Sequence, residues 1–383
     1  MATPISPRTT RDFVDALFAD DLHLKRIESL SNATTGVVRS ASLGISIIGA
    51  GLALARSTEK KHAVKQVDRL VGNDAIDVFA LAEKWVPYVV SARPEAWIAL
   101  DWTDFEPDGH ATLVASLIST HGRATPLLWR TFVAAEIKGT RLAAEELLLK
   151  RLRETLPSSV TRALLLCDRG FSDVARWEMF QRLGFEFITR IRAAFFVCDE
   201  KGRQKTAGEW LAPSGKATTL REVTVTASGA RVASFVAVKG SKMNEPWFLV
   251  SSIDDVPGSE LVERYGRRFT IEESFRDVKD LRFGMGLSSV RVSSPARRDR
   301  LLLLSALAVA LLTILGAAGE AAGIDKHFKV NTSKKRQFSL FRQGCDYYEF
   351  LPGMREAWAQ PLLDKFYELL RGHAVFAEVL GII

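Results

Sequence analysis

Four side chains of different chemistry recur at helical spacing in one charged stretch of the 383-residue chain. These stripe residues are a phenol, a guanidinium, a carboxylate and an ammonium, on Tyr265, Arg268, Glu272 and Lys279. At about 100° per residue, they share an arc roughly 60° wide along about four turns. A separate arc is apolar, as the core-facing side of a helix would be, and carries Ile271, Phe275, Val278 and Leu281. The spacing predicts one helix that buries its apolar side and exposes the stripe; a hydrated face with an i,i+4 ion pair is the alternative.

Two more acids follow short apolar runs upstream of the stripe. The runs "EAWIAL" and "RALLLC" each predict a buried strand, and they are followed by Asp101 and Asp168. If these strands are neighbours, two carboxylates meet at the sheet edge and their repulsion needs compensation. A pair of hard divalent cations takes oxygen ligands and supports phosphodiester cleavage, with Glu272 as a third acid. A single Asp after a strand is commonly a turn or cap residue, and Asp104 and Asp173 are equally available, so the residues alone leave this choice open.

Taken together, these motifs resemble the bacterial insertion-sequence transposases called the IS-four family. The stripe residues match the spacing of that family's YREK signature at all four positions, and "DWTDF" and "LLLCDRGF" resemble its two acid motifs. The resemblance runs from about residue 95 to about residue 345. It implies that Asp101, Asp168 and Glu272 form a DDE triad that binds two Mg²⁺ ions, with Mn²⁺ able to take their place.

The same resemblance implies contacts with DNA on either side of the scissile bond. Tyr265, Arg268 and Lys279 would hold the flanking phosphates, the arginine through bidentate hydrogen bonds and the lysine as a point charge. Trp247 lies where the family has a Trp that stacks on a flipped base. A strand Trp that fills the core of a small domain is the alternative for Trp247, and Trp210 is a weaker candidate for stacking.

Two basic clusters lie outside these motifs. The first comprises Lys60, Lys61, Lys65 and Arg69, and the second comprises Lys329, Lys334, Lys335, Arg336 and Arg342. Basic loops are commonly only solvated, but phosphate contacts supply much of the affinity of a DNA-binding protein. The net charge of +7 admits such a partner without proving it. We expect the second cluster, notably Lys334, Lys335 and Arg336, to contact DNA.

The order of periodic segments predicts an α/β fold with helical flanks. With the resemblance, this becomes an RNase H-like catalytic core with a β-strand insertion domain, flanked by helical N- and C-terminal regions. The expected boundaries are 1–95 for a helical DNA-binding region, 96–191 for the first part of the core, 192–257 for the insertion, 258–320 for the second part with the YREK helix, and 321–383 for a basic region and helix.

Composition narrows the remaining classes. The hydrophobic content of 47% supports a sizeable core, and three scattered cysteines without a CxxC pair exclude a disulfide framework. The uncharged run from Leu301 to Gly319 has the length of a membrane span, so a membrane-anchored protein is one alternative. Its many small residues and its late position in a charged chain favour a buried helix. With no signal pattern among the first residues, we expect a cytoplasmic, nucleoid-associated protein.

The function implied by the resemblance is cut-and-paste DNA transposition. The partners would be double-stranded DNA, namely the terminal inverted repeats and the target, and a second copy of the chain in a homodimeric synaptic complex. No membrane partner is expected. The alternative is a catalytically inactive DNA-binding relic that acts as a regulator.

Overall fold

A single ten-stranded sheet lies at the centre of the computed structural model, which describes residues 5–226, 229–282, 284–329 and 336–372. The strand order is β3-β2-β1-β4-β5-β10-β9-β8-β6-β7. The strands are β1 (Glu95–Phe105), β2 (His110–Leu117), β3 (Thr125–Val133), β4 (Arg162–Cys167), β5 (Glu186–Arg190), β6 (Phe196–Cys198), β7 (Gln204–Thr206), β8 (Thr218–Val225), β9 (Ala230–Val238) and β10 (Trp247–Ser251).

Helices flank the sheet before, between and after these strands. They are α1 (Pro7–Phe18), α2 (Leu24–Ser40), α3 (Ile45–Arg56), α4 (Lys60–Val71), α5 (Val78–Val90), α6 (Arg141–Thr155), α7 (Val174–Arg182), α8 (Gly258–Gly266), α9 (Thr270–Lys279), α10 (Pro295–Ala321), α11 (Leu340–Phe350) and α12 (Glu356–Arg371). The helical N-terminal segment, the central α/β alternation and the last helix were all predicted from periodicity. Helix α11 was not, because its residues read as part of a basic loop.

Strands β1, β4 and β5 form the parallel centre of the sheet. The parallel register pairs Leu100 with Cys167, so the residue after each pairing partner is an acid. Side chains along a strand alternate between the two faces. Ala99 and Leu166 face the smaller of two core clusters, which α8 and α9 cover. Asp101 and Asp168 each lie two residues further along, so they are on the same face of the sheet.

The alternating segment between β5 and α8 forms strands β6 to β10, as predicted. These strands do not pair among themselves alone. Strand β10 is hydrogen-bonded antiparallel to β5, with Leu249 opposite Arg190, so the insertion extends the central sheet. The insertion therefore delivers its Trp247 to the edge of the parallel centre.

Helix α10 is the apolar run, and it is a core helix. It is long and apolar enough to cross a membrane, but 89% of its most apolar 18-residue window is buried inside the protein. Helix α11 packs very close to it, because an added Cβ on Gly344 would lie 1.8 Å from the carbonyl oxygen of Leu312. The prediction of a buried helix is confirmed, and glycines explain how the two backbones approach so closely.

The stripe does not lie on one continuous helix. Tyr265 lies in the last turn of α8, Arg268 lies in a 3-10 turn (Arg267–Phe269), and Glu272 lies in the first turn of α9. A 3-10 turn has three residues per turn instead of 3.6, so the projection on an ideal α-helix was wrong in detail. The spacing still brings neighbouring stripe residues together, because residues three and four apart remain on one side across so short a turn.

Candidate active site

Asp101 and Asp168 lie side by side at the same edge of the parallel strands. Asp101 directly follows the last residue of β1 that pairs with β4, and Asp168 follows the last residue of β4. Strand β1 itself continues to Phe105 on its β2 side, so the expectation that Asp101 ends its strand was wrong. Burial raises the pKa of Asp101 to about 6, and the nearby Asp168 adds to the rise while Arg268 opposes it. An acid shifted in this way at a sheet edge marks a candidate functional site.

The alternative acids have other partners. The Asp104 side chain is exposed and faces the guanidinium of Arg141 at 3.9 Å. Asp173 caps α7 by accepting a hydrogen bond from the backbone N–H of Arg176 at 3.1 Å, and it also pairs with that arginine's guanidinium. Asp173 thus has the capping role of an acid that precedes a helix, and Asp104 is an exposed residue within β1. The assignment of Asp101 and Asp168 as the catalytic acids stays a prediction.

Arg268 joins two of the three predicted acids. Its Nη1 donates to Asp101 Oδ2 at 2.9 Å, and its Nη2 donates to Glu272 Oε1 at 3.0 Å. The i,i+4 pair predicted from sequence is therefore present, but it also has a partner 167 residues upstream. Arg268 is only 6% exposed, so the guanidinium of this charge-assisted network is buried, while the Glu272 side chain is 50% exposed.

The stripe is not a line of four exposed groups. Tyr265 is 1% exposed, and burial raises its pKa to about 12. Lys279 donates to Thr103 Oγ1 at 3.1 Å and to the backbone carbonyl of Asp104 at 2.8 Å, and burial lowers its pKa. On the opposite side, Leu281 is 74% exposed, so its predicted place in the core was wrong. Helix α9 ends at Lys279, which leaves Leu281 beyond the packed surface.

An aromatic cluster borders the acids. The ring centroids of Trp247 and Tyr265 lie 5.2 Å apart in an edge-to-face arrangement. Phe269 stacks on Trp247 at 5.6 Å and is partly exposed. Trp247 therefore packs against the stripe rather than filling the interior of the β insertion. Trp210 is buried, and its indole N–H donates to the carbonyl of Val197, so it is not available for stacking on a base.

Glu145 is hydrogen-bonded to the residue after Asp101 and to a residue of α7, and it was not predicted from the sequence. It is 1% exposed and accepts hydrogen bonds from Trp102 Nε1 at 2.9 Å and from Arg176 Nε at 2.6 Å. Trp102 follows the first acid and Arg176 lies on α7, so one carboxylate links β1, α6 and α7. A signal existed, because Glu145 falls three and four residues before Leu148 and Leu149 on the apolar face of α6.

Arg190 is a second residue that the sequence reasoning missed. It ends β5, two residues after the buried Ile188, and so follows the parity of the acids on the neighbouring strands. Its Nη1 donates to Glu245 at 2.8 Å and its Nη2 to the carbonyl of Pro246 at 3.0 Å. A charged residue that closes an apolar strand was the signal used for the two acids, and it applied here too.

Polar contacts join helix α9 to the turn between β2 and β3. Ser274 donates to the carbonyl of Ala124 at 2.8 Å and accepts from its N–H at 3.0 Å, and Arg123 donates to Asp277 at 2.6 Å. Beneath the helix lies a cavity of about 70 Å³ that is lined in part by Phe275. The helix that carries Glu272 is therefore fixed to the β2–β3 turn by polar contacts, in addition to the packing of the fully buried Ile271.

The basic residues near the C-terminus are only partly described. Lys334 and Lys335 lie outside the described residues. Arg336 donates to both carboxylate oxygens of Glu320 in the last turn of α10, and Lys329 pairs with Asp325 at 2.7 Å. The described contacts of Arg336 are thus with α10 and not with the three acids.

The three acids offer the hard oxygen donors that divalent cations take. Within the described ranges, no three acidic, histidine or cysteine side chains stand close enough to hold an ion. Asp101 and Asp168 are adjacent, and Glu272 is joined to Asp101 through the guanidinium of Arg268. The residues fit such an ion chemically, and the guanidinium of Arg268 now contacts oxygens of two of them.

Comparison with known proteins agrees with this geometry. The family described as "Transposase DDE domain" matches residues 98–311, which is more than half of the chain and contains all three acids. No curated protein matches the chain. The mixed α/β architecture with a large sheet and helical flanks fits that family. The chain therefore belongs to the DDE transposase domain family.

Proposed function

We propose that this transposase catalyses cut-and-paste transposition of an insertion sequence, on an RNase H-like core of the YREK-signature group. The observation that carries the proposal is the register of β1 against β4, which aligns Asp101 with Asp168 on the face covered by α9. Glu272 is hydrogen-bonded to the same guanidinium as Asp101. Two of the three acids are thus hydrogen-bonded to one guanidinium, and Asp168 lies close enough to Asp101 to raise its pKa.

In the proposed reaction, Asp101, Asp168 and Glu272 would hold two Mg²⁺ ions, and Mn²⁺ could replace them. When bound, two such ions activate a water or a 3′-hydroxyl and stabilise the leaving oxygen of a phosphodiester. The protein's own contribution is to bring the three carboxylates to one place and to offset the burial of Asp101 with the guanidinium of Arg268. Glu145 would assist by fixing β1 and α7, which carry or follow the two aspartates.

The remaining predicted residues would position DNA. Lys279 supplies a cation beside the end of β1, and Arg268 can offer a fork of donors to a phosphate. Tyr265 lies between Arg268 and Trp247, which would place a stacked base next to the scissile phosphate. Lys334, Lys335 and Arg336 would contact the DNA backbone further away. For Arg336, this requires exchange of Glu320 for a phosphate.

The proposed partners are double-stranded DNA, as terminal inverted repeats and target, and a second copy of the chain in a homodimeric synaptic complex in the cytoplasm. An inactive DNA-binding relic is the less favoured function. A relic would be free to lose any of its acids, yet all three are retained together with the arginine between two of them.

The test is strand cleavage by the purified protein. DNA from the flanks of its own gene, labelled at the 3′ ends, is incubated with the protein and Mg²⁺ or with EDTA. We expect strand breaks at the boundary of the insertion sequence with Mg²⁺ but not with EDTA. Binding to the DNA ends should occur in both conditions. Specific end binding without any cleavage in Mg²⁺ or Mn²⁺ would support the relic instead.

A further inference from the structure

The guanidinium of Arg268 is enclosed among acids rather than turned to solvent. It bridges Asp101 and Glu272. Burial lowers the pKa of Arg268, but Tyr265 and the nearby acids, including Asp168, raise it by more. The Phe269 ring lies 5.3 Å from the guanidinium carbon. Since like charges this close destabilise one another, Arg268 is the positive charge that balances the three carboxylates.

The oxygens that hold Arg268 are oxygens that a divalent cation would need. Asp101 Oδ2 accepts from Arg268, and Asp101 Oδ1 accepts from the backbone N–H of Trp102 at 2.9 Å. Both oxygens of that acid thus already have a donor. Glu272 Oε1 is bound to the same guanidinium at 3.0 Å. An ion and this guanidinium would also repel one another strongly in so buried a place.

We propose that Arg268 is an internal counter-ion that holds the acids together before metal arrives and that a divalent cation displaces. Once displaced from the acids, the guanidinium is free to bind a DNA phosphate. The phosphate supplies the negative charge that Arg268 then lacks. The inference rests on the proposed function, in which the three acids bind metal. Its consequence is that Arg268 competes with metal, so that the protein without DNA binds the ion more weakly than its carboxylates alone would allow.

The experiment is calorimetric titration of Mn²⁺ into DNA-free protein at pH 7.5. Arg268→Ala and Arg268→Gln should bind Mn²⁺ tighter than the wild type, by roughly 5- to 50-fold. The matched control is Arg267→Ala, which removes the same charge from the adjacent position. Arg267 pairs with the exposed Glu263 at 3.1 Å, away from the acids, so its loss should change the affinity less than about twofold.

Thermal melting adds a second readout, and its result in Mn²⁺ is informative even for a variant that does not fold in EDTA. Both Arg268 variants should melt below the wild type in EDTA and gain more in melting temperature from Mn²⁺. A variant that folds only in Mn²⁺ supports the inference, because the ion then replaces the missing charge. A variant that stays unfolded in saturating Mn²⁺ overturns it, since Arg268 would then serve packing alone.

Two acid variants separate failure of this inference from failure of the proposed function. Asp168→Asn and Glu272→Gln should each lose Mn²⁺ binding. If they bind it as the wild type does, the proposed metal site is wrong and the inference falls with it. If they lose it while Arg268→Gln binds no tighter than wild type, the metal site stands and only the counter-ion role is overturned.

Discussion

At the scale of single residues, the ionised carboxylate of Asp101 lowers the stability of the folded protein. It is mostly buried, it lies beside Asp168, and its favourable contact with Arg268 does not fully offset these two effects. A carboxyl whose pKa in the folded state exceeds its value in the unfolded chain stabilises the fold only at low pH. Its contribution is present below about pH 4 and is lost as the pH rises through about 6.

We therefore predict that Asp101→Asn stabilises the metal-free protein at pH 7.5, by about 1–3 kcal/mol, because asparagine never acquires the unfavourable charge. The gain should shrink towards zero at pH 4, where the wild-type carboxyl is protonated. Urea unfolding in EDTA at the two pH values measures both effects. Asp104→Asn, at an exposed acid of the same strand, is the control and should change little. An Asp101→Asn variant less stable than wild type at pH 7.5 would contradict the argument.

Residue types and spacing predicted the Arg268–Glu272 pair correctly, because it is a local pattern, and the choice of the three acids as a catalytic set stays a prediction. They could not show that Arg268 is buried. Its burial depends on Asp101, far upstream, and on Trp247 and Phe269, which enclose this part of the stripe only once β10 joins the sheet. A side chain's neighbours across a sheet are set by strand order, and no sequence spacing encodes that order directly.

At the scale of elements, the site depends on links between strands and helices that lie far apart in the chain. Glu145 is the clearest, since it binds Trp102 of β1 and Arg176 of α7 from α6. Helix α9 depends in the same way on the β2–β3 turn, through Ser274. The helices and strands themselves were mostly predictable from periodicity. The break between α8 and α9 was not, because no proline marks it.

We predict that Glu145→Ala lowers the free energy of unfolding by about 3–5 kcal/mol, because it leaves the buried guanidinium of Arg176 with only one acid and Trp102 without an acceptor. Glu146→Ala is the matched control. That neighbour pairs with the exposed Arg182 at 3.0 Å, and its loss should cost less than about 1 kcal/mol. Chemical denaturation followed by circular dichroism compares the two. Equal losses would show that Glu145 is not a structural link.

A second prediction at this scale concerns the contact between α10 and α11. Gly344→Ala should destabilise the protein by at least about 2 kcal/mol, since the new Cβ would lie 1.8 Å from a backbone oxygen of α10. Gly353→Ala is the control, because nothing lies within 4 Å of its added Cβ, and it should stay within about 0.5 kcal/mol of wild type. The melting temperatures of the two variants are compared with that of the wild type. If Gly344→Ala has the melting temperature of the wild type, α10 and α11 are not packed this closely.

At the scale of the whole molecule, one sheet includes both the strands of the predicted core and the strands of the predicted insertion. Periodicity predicted a core and an inserted β segment, and both are present. It could not show that β10 pairs with β5, because strand pairing between distant segments leaves no periodic signal. The apolar helix could be recognised as core only by weighing composition against length, and its burial by α11, α12 and α2 explains why it is apolar on every side.

A charge placed in the middle of that helix tests its role in the whole fold. Leu304→Asp should prevent folding, because Leu304 is fully buried and an unpaired carboxylate there has no partner. Val309→Asp, at a half-buried position of the same helix, should be less damaging. The measurement is the yield of soluble protein and its circular dichroism. Folded Leu304→Asp protein would contradict the assignment of α10 to the core.

The most direct test of the central claim is the rate of strand cleavage by six variants at matched acids. Asp101→Asn, Asp168→Asn and Glu272→Gln should each reduce cleavage of end DNA at saturating Mg²⁺ by at least about 10³-fold, while end binding is retained. Their neighbours Asp104→Asn, Asp173→Asn and Glu273→Gln should remain within about tenfold of wild type, because their carboxylates face other partners. If a neighbour proves as damaging as its predicted counterpart, or if a predicted acid can be neutralised without loss, then the three acids do not form the catalytic set.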